Sequence, residues 1–480
     1  MRRWPRLLAV ALLLVLPRPL CAARGAVATE HRAAAEAGAA VLAWGGSAVD
    51  TAIATAAAVC VVHPSSCGVG GGGFALVWHA GQAHALDFRE TAPNALRPAL
   101  FLDGGRPQPQ RSREGGLAVG VPGEVAGWVA LHERFGRLPL ATVLAPAIRL
   151  ARDGFALGDS PHLARQVARA APLLRADPGL ASVFLDRGRV PAADFVVRQT
   201  DLARLLERVA RERRAAFYEG ATPAAIAEAV RRRGGVMRAD DVRRYLPVWR
   251  RPVSMRHAGR TVVTFPPPGS GAVVLAVLGI VGDEALDGGV PPELLAGALA
   301  RGFADRARWF GDPAFTTVPL AAMLAPGRLA RLRGEIVAGA GAPADVPAMR
   351  DAGTAHVSVL TADGDAVALT TTINTAFGAG VMVPGTGIIL NNEMDDFVVV
   401  PGVANVYGLG GGTPNVVAPR KRPQSSMAPT IVVRDGRAEL AVGASGGPFI
   451  ISATAQVLLQ VLNGARAVPD AVTAPRLHDQ

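Results

Sequence analysis

Cysteine and lysine are scarce in this sequence, and the shortage of cysteine excludes one class of protein at once. Among 480 residues there are three cysteines, Cys21, Cys60 and Cys67. Three thiols can close at most one disulfide bond, so a small disulfide-stapled scaffold is excluded. His63 lies between two of these cysteines, but no second cluster supplies a fourth metal ligand at a familiar spacing. We therefore predict no metal site and no cofactor.

Lysine is represented only by Lys421, so the formal net charge of +11 comes from arginine. The arginines are spread along helical segments such as 204–214. No segment interleaves aromatic with basic residues, as the proteins that bind single-stranded nucleic acid do. The pattern is typical of a solvated basic surface. We expect no nucleic-acid partner.

Apolar runs that approach the length of a membrane span are found only at the N-terminus. Basic residues up to Arg6 precede the apolar run 7–16, and small residues follow at Ala22 and Ala23. This order is typical of a cleaved secretory signal peptide, which we place at residues 1–24; an uncleaved anchor is the alternative. We therefore expect a periplasmic or secreted protein with no stable membrane anchor.

The remaining chain combines helical and strand periodicities, which indicates an α+β protein. Helical spacing predicts a helix over 48–62, capped by Ser47 or Asp50. Further helices are predicted at 124–132, 140–153, 201–215, 223–233 and 450–462. Strands are predicted at 74–78, 83–88, 261–265, 356–360, 366–370, 430–433 and 439–442.

The glycine-rich loop at 68–73 does not have the features of a nucleotide-binding loop. No Gly-Lys-Ser or Gly-Lys-Thr follows it, and a strand rather than a helix comes next. We interpret the loop as a place where backbones pack closely beneath a site. A second flexible stretch, 339–353, is predicted to be a linker or a processing region.

Thr354 is a candidate nucleophile. A threonine hydroxyl needs a base beside it, and a threonine that becomes N-terminal after chain cleavage can use its own α-amine. Gly353 joins the flexible stretch to the predicted strand and gives the backbone the freedom that an N-to-O acyl shift needs. Because a threonine before a strand is common, this spacing alone is weak support.

Ser445 is a second candidate nucleophile. Residues 443–447 fit the pattern G-x-S-x-G between a predicted strand and a predicted helix, and Asp470 and His478 follow in the order found in serine hydrolases. Those two partners lie close together in the sequence, however, and few strands remain to complete the sheet of an α/β-hydrolase. We therefore rank Ser445 below Thr354.

Ordered motifs run through most of the chain, and together they are more specific than any single residue. They lie at 45–50, 68–74, 87–93, 120–123, 354–358, 370–374, 385–387, 391–397, 405–408, 421–429 and 475–478. This series resembles the γ-glutamyltransferase, or γ-glutamyltranspeptidase, family, whose members are N-terminal-nucleophile hydrolases.

The resemblance implies a role for each of a set of polar residues. Thr354 would cleave the peptide bond before it and then attack the γ-carbonyl of a substrate, while Thr372 orients its hydroxyl. The amides of Gly446 and Gly447 would form the oxyanion hole. The residues implied to bind the glutamyl group are Arg89, Ser425 and Ser426 for its α-carboxylate, Asn374, Glu393 and Asp396 for its α-ammonium, and Tyr407 as a lid.

The resemblance also implies the architecture and the substrates. The implied fold is a four-layer αββα sandwich, made of a large subunit segment, 25–353, which supplies a large helical layer, and a small subunit segment, 354–480. Both segments would come from one precursor. The implied donors are γ-glutamyl compounds such as glutathione, and the acceptors are water, amino acids or peptides.

Departures from the family pattern leave a non-catalytic or incomplete homologue open as an alternative. Ala355 replaces the commoner threonine or serine after the nucleophile, and Pro448 and Phe449 follow the glycine pair where relatives usually carry small polar or basic residues. Family members also continue beyond the position of Gln480, so we expect a truncated C-terminus with edge strands missing.

Overall fold

The computed structural model describes residues 25–284, 289–339, 353–400 and 402–480. The predicted signal peptide and most of the predicted processing region, 339–353, lie outside these ranges. The strands are β1 (Gly25–Ala28), β2 (Gly72–His79), β3 (Gln82–Asp87), β4 (Leu102–Asp103), β5 (Arg106–Pro107), β6 (Phe155–Ala156), β7 (Val196–Val197), β8 (Val248–Arg250), β9 (Val253–His257), β10 (Arg260–Thr264), β11 (Gly353–Thr361), β12 (Ala366–Asn374), β13 (Met382–Val383), β14 (Ile388–Ile389), β15 (Thr430–Arg434) and β16 (Arg437–Val442).

Helices outnumber long strands, especially in the first two thirds of the chain. They are α1 (Arg32–Ala43), α2 (Ala48–Val62), α3 (Gln110–Arg113), α4 (Glu124–Phe135), α5 (Leu140–Asp153), α6 (Pro161–Arg169), α7 (Ala171–Arg175), α8 (Pro178–Phe184), α9 (Thr200–Glu212), α10 (Ala215–Tyr218), α11 (Thr222–Arg232), α12 (Ala239–Arg243), α13 (Gly271–Val281), α14 (Pro292–Trp309), α15 (Leu320–Met323), α16 (Pro326–Val337), α17 (Phe449–Leu462) and α18 (Val468–Thr473).

Two antiparallel sheets form the centre of the fold. The larger has six strands in the order β1-β11-β12-β2-β3-β8, and the smaller has four in the order β16-β15-β10-β9. Strands from both sides of the predicted processing region pair with one another in each sheet. Residues before and after Gly353 therefore build both sheets together.

The sheets lie face to face, and helices cover their outer surfaces. Along β2, Ala75 and Val77 pack with α2 and α5, whereas Phe74 and Leu76 point into the core shared with β10, β15 and α13. Successive side chains of a strand point to opposite faces, so both faces of β2 are buried. The result is an αββα sandwich, as the family resemblance implies, with α1, α2, α5 and α9 in one outer layer and α13, α14 and α17 in the other.

Helix α2 is held at its start by a capping box, and both cap residues were candidates from the sequence. The Ser47 hydroxyl accepts a hydrogen bond from the Asp50 amide at 3.0 Å, and the Asp50 carboxylate accepts one from the Ser47 amide at 3.0 Å. Asp50 also accepts hydrogen bonds from the amides of Arg137 and Leu138, at 2.8 and 3.0 Å. The cap therefore fixes the helix start and the loop before α5 together.

The glycine tract allows the close backbone approach that the sequence predicts for it. A Cβ atom on Gly71 would lie 2.0 Å from the Thr372 carbonyl oxygen, and one on Gly73 would lie 2.1 Å from that of Thr370. Only glycine fits at these positions. The tract therefore brings β2 into tight contact with the end of β12, where part of the candidate site lies.

Strands β8 and β9 are absent from the sequence prediction, which places only one strand, 261–265, between 121 and 300. Strand β9 is short and follows a proline, and one of its inward positions is His257. That histidine is buried and its Nε2 contacts the Asn463 side chain at 2.7 Å. A polar residue whose partner lies far along the chain hides the apolar alternation of the strand.

Glu124, the first residue of α4, is a buried carboxyl group beneath β12. It accepts a hydrogen bond from the Thr371 hydroxyl at 2.7 Å. Burial raises its pKa to about 8, although the Thr371 hydrogen bond acts in the opposite direction. A carboxyl group with a raised pKa binds its proton more tightly in the folded chain. The stabilisation that comes from this tighter proton binding is complete below pH 4.5, the ordinary pKa of a glutamate, and is lost as the pH rises through about 8.

Replacement of Glu124 by glutamine is therefore expected to weaken the pH dependence of stability. Between about pH 5 and pH 9 the thermal midpoint of the unchanged chain should fall, and in Glu124→Gln the fall should be smaller by about 3 °C or more. Thermal unfolding followed by circular dichroism across this pH range measures the difference. Parallel curves for the two proteins would contradict a titrating Glu124.

Candidate active site

The ends of β11 and β12 place two threonine hydroxyls beside the peptide bond that precedes Thr354. Thr354 lies opposite Thr372, and the register shifts between Gly353 and Thr354. The Thr354 hydroxyl donates to the Thr372 hydroxyl at 3.3 Å, and Thr372 donates to the Gly353 carbonyl oxygen at 2.7 Å. The amide of Asn374 donates to Thr372 Oγ1 at 2.8 Å. Thr372 therefore directs its one proton at the carbonyl group of Gly353.

Gly353 is confined by neighbouring backbone. A Cβ atom there would lie 2.8 Å from the Ser65 carbonyl oxygen and 3.0 Å from the carbonyl group of Thr375. The residue before Thr354 therefore has no room for a side chain, and its carbonyl group is held at the hydroxyl of Thr372.

Arg89 is buried at the end of β3 among three carboxyl groups. Its Nη1 lies 2.7 Å from Glu393 and 3.5 Å from Glu90, and its Nη2 lies 2.5 Å from Asp396. Burial works against the charge of Arg89, but these three groups raise its pKa. Burial also raises the pKa of Glu393 and Glu90, against the attraction of Arg89. The cluster therefore holds positive and negative groups together out of water.

Tyr407 covers the far side of the site. Its hydroxyl lies 2.8 Å from both the carbonyl oxygen and the side-chain oxygen of Asn374. The backbone of Asn374 has a φ of 75°, a conformation that asparagine tolerates better than most residues. Asn405 accepts a hydrogen bond from the Tyr407 amide and donates one to Asp396, at 3.0 and 3.3 Å. The tyrosine is thus tied to β12 and to the carboxyl cluster.

Gly446 and Gly447 form a turn before α17, with φ angles of 110° and 58°. Their carbonyl oxygens accept hydrogen bonds from the amides of Phe449 and Ile450 at 3.3 and 3.0 Å. Within the described ranges, neither glycine amide donates a hydrogen bond. A Cβ on Gly447 would lie 3.1 Å from the Tyr407 ring. Two adjacent amides are therefore free to bind a negatively charged oxygen.

These groups line one cavity. Its lining contains every residue that the sequence predicts for the site except Gly446, which lines a neighbouring groove beside Ser445. The lining residues are Arg89, Thr354, Thr372, Asn374, Glu393, Asp396, Tyr407, Ser425, Ser426, Met427, Gly447 and Ile450.

Sequence reasoning missed several residues at this site. Met427 and Ile450 line the cavity, Glu90 completes the carboxyl cluster, and Arg306 donates to the Ser426 hydroxyl at 3.4 Å. Glu90 follows Arg89 directly, and that adjacency is a usable signal. Arg306 lies among other arginines of a helix, and its sequence position does not distinguish it from them.

The contacts of His478 argue against the lower-ranked alternative, a serine-hydrolase triad at Ser445. His478 contacts the Ser452 hydroxyl through Nδ1 at 2.9 Å and the Gln480 side chain through Nε2 at 3.1 Å. Both ring nitrogens are therefore engaged away from Ser445.

The two remaining cysteines, Cys60 and Cys67, are buried free thiols.

The described residues contain neither a metal site of clustered side chains nor a helix that could span a membrane. No group of three or more histidine, cysteine, aspartate or glutamate side chains in those ranges is placed to hold a metal ion. No described helix has both the length and the apolar character needed to cross a membrane.

A family profile and individual relatives both match this sequence, and they indicate the same family. The family profile described as gamma-glutamyltranspeptidase matches residues 34–480. A glutathione hydrolase proenzyme of Pseudomonas aeruginosa is 39% identical over 467 residues, covering 95% of this chain and 83% of the relative. One from Escherichia coli is 36% identical over 477 residues, covering 96% and 82%.

Solved structures share the fold. A cephalosporin acylase from Bacillus halodurans superposes with a TM-score of 0.83 at 28% identity, covering 98% of this chain and 87% of that one. A gamma-glutamyltranspeptidase from Helicobacter pylori superposes with a TM-score of 0.63 at 30% identity, covering 67% of this chain and 93% of that one.

Replacement of Arg89 by methionine is expected to destabilise the chain because it leaves buried carboxyl groups without their cation. The free energy of unfolding should fall by about 3–5 kcal/mol at pH 8. The loss should be smaller near pH 5, because burial raises the pKa of Glu90 and Glu393 and both then bind a proton. Urea unfolding at both pH values measures the effect.

Arg152→Met is the matched control. The Arg152 side chain is 53% exposed and pairs with Asp153 at the surface, so its loss should change stability by less than about 1 kcal/mol. If both variants lost the same free energy of unfolding, the buried Arg89 cluster would contribute no more to stability than the surface pair of Arg152.

Proposed function

The chain belongs to the γ-glutamyltranspeptidase family, and from that premise we propose that Thr354 is the nucleophile of a self-cleaving γ-glutamyl hydrolase and transferase. The observation that carries the proposal is the arrangement at Gly353, whose carbonyl oxygen accepts the Thr372 proton beside the Thr354 hydroxyl. A nucleophile and a polarised carbonyl group are thus adjacent before any substrate binds.

The first reaction is cleavage of the peptide bond between Gly353 and Thr354. The Thr354 hydroxyl adds to the Gly353 carbonyl carbon, the C–N bond breaks, and the nitrogen takes the proton, which gives an ester. Water then hydrolyses the ester and leaves a carboxylate on Gly353 and a free amine on Thr354. The products are a large segment, 25–353, and a small segment, 354–480, and both contribute strands to the two sheets.

The second reaction uses the new N-terminus. The Thr354 amine accepts the hydroxyl proton, the oxygen attacks the γ-carbonyl carbon of the donor, and the amides of Gly446 and Gly447 stabilise the oxyanion. The protonated amine then passes the proton to the leaving amine. Water or an acceptor amine removes the glutamyl group from Thr354, by the same steps in reverse order.

The cavity suits the two charges of a glutamyl group. Arg89, Ser425 and Ser426 bind the α-carboxylate, and Asn374, Glu393 and Asp396 bind the α-ammonium. Arg89 is already between Glu393 and Asp396, so a bound zwitterion extends an existing pattern of alternating charge. An ammonium beside Glu393 favours the ionised carboxylate. Tyr407 closes over the ligand.

The donor that we propose is glutathione or a similar γ-glutamyl amide, and the acceptors are water, amino acids or peptides. Two proenzymes named glutathione hydrolases are 39% and 36% identical to this chain over the aligned residues. We propose the periplasm or the outside of the cell as its location, because residues 1–24 have the order of an export signal.

Self-cleavage and turnover are expected to depend on Thr354 and not on Ser445. The mature chain should separate into two bands on a denaturing gel and should hydrolyse a γ-glutamyl anilide. Thr354→Ala should give one band and no turnover, because both reactions use that hydroxyl. Ser445→Ala should retain two bands and turnover. A single band without turnover for the unchanged chain would favour the non-catalytic alternative.

Removal of the Thr372 hydroxyl is expected to slow maturation. Thr372→Val lacks the donor to the Gly353 carbonyl oxygen, and its self-cleavage should be about 100-fold slower or more. Thr372→Ser retains the hydroxyl and should mature at close to the original rate. A time course of band separation after refolding measures both, and equal rates for the valine and serine variants would rule out this role.

A further inference from the structure

Arg306 lies directly behind the cavity wall that Ser425 and Ser426 form. It belongs to the last turn of α14 and is 2% exposed. Its Nε donates to the Ser270 hydroxyl at 3.0 Å, and its Nη2 donates to the Ser426 hydroxyl at 3.4 Å. Ser270 in turn donates to the Ser425 carbonyl oxygen at 2.5 Å. One guanidinium thus reaches both serines, Ser426 directly and Ser425 through Ser270.

Among the described residues, none is an ion-pair partner of Arg306. Arg89 contacts three carboxyl groups, whereas the guanidinium of Arg306, within the described ranges, hydrogen-bonds only to hydroxyl groups. Burial lowers the pKa of Arg306 to about 10; Asp396 acts in the opposite direction, and Arg89 adds to the lowering. Arg306 is therefore still a cation at neutral pH, in a place where an unpaired charge is costly.

The hydrogen bonds of Arg306 also set the direction of the Ser426 hydroxyl. Because a guanidinium can only donate, Ser426 Oγ must accept at this contact. Its own proton is then free to point into the cavity that Ser426 lines. A hydroxyl held in this way is a ready donor to an anion, and its strength is increased by the cation behind it.

We propose that Arg306 is a positioning residue for the α-carboxylate of the donor: it fixes the Ser426 hydroxyl and supplies the buried positive charge that the carboxylate neutralises. The proposal rests on the proposed function and deepens it. It predicts that the cavity selects donors with a free α-carboxylate, because an α-carboxamide brings no charge to compensate the buried cation.

The test compares a γ-glutamyl anilide with its α-carboxamide analogue. Arg306→Met should raise KM for the carboxylate substrate about tenfold or more, with kcat changed less than about threefold. KM for the carboxamide should stay within about twofold. Arg306→Lys should be intermediate, because it retains the charge but not the two-sided contact. Arg308→Met, an exposed arginine of the same helix, is the matched control and should leave both KM values unchanged.

A direct measurement of binding makes the test independent of turnover. The use of Arg306→Lys also makes it independent of whether the methionine variant folds. The unchanged chain should bind L-glutamate more tightly than isoglutamine in calorimetry, and Arg306→Lys should reduce that preference. An equal KM increase for both substrates, or an unchanged preference in Arg306→Lys, would overturn the inference. If the unchanged chain binds glutamate selectively but cleaves neither itself nor the anilide, the proposed function fails and the binding comparison alone decides the role of Arg306. If it binds neither ligand, both proposals fail.

Discussion

The antiparallel pairing of β11 with β12 is the interaction on which the whole site depends. Its register places Thr354 opposite Thr372 and brings the Gly353 carbonyl oxygen to the Thr372 hydroxyl. A shift of one residue would turn every side chain of the strand to the other face. That shift is prevented on both sides, because β12 also pairs along its length with β2, whose outward and inward residues are buried in different cores.

The glycine tract and the buried carboxyl groups are consequences of that pairing. The backbone of β2 must approach β12 closely at the end where Thr372 lies, and glycines permit the approach. Beneath the same strand, Thr371 points away from Thr372 and donates to Glu124. Adjacent threonines thus serve opposite faces of one strand, the first bonded to a buried carboxyl group and the second to the candidate nucleophile.

The sequence predicts well those features that depend on near neighbours. Helix α2 begins where Ser47 and Asp50 can cap it, and α5 has the predicted bounds, because capping and helical spacing are local signals. It predicts poorly what depends on distant partners. Strand β9 contains a buried histidine that needs Asn463, and Arg306 needs a serine far along the chain to distinguish it from the exposed arginines nearby. For the site, support for Thr354 came from family motifs, since a threonine after a glycine carries little information.

The fold alone does not decide which acyl group the enzyme transfers, because a cephalosporin acylase shares the same architecture. The charges of the cavity separate the possibilities. An uncharged acyl group would form no ion pair with Arg89, which would stay paired with its carboxyl groups, and none with Arg306. The two arginines would then contribute nothing to its binding. A glutamyl group brings a carboxylate for the cations and an ammonium for the carboxylates at a fixed distance from the reacting carbon. In the proposed function, the same two charges that hold it also place its γ-carbonyl group at Thr354, so that binding energy is converted into orientation.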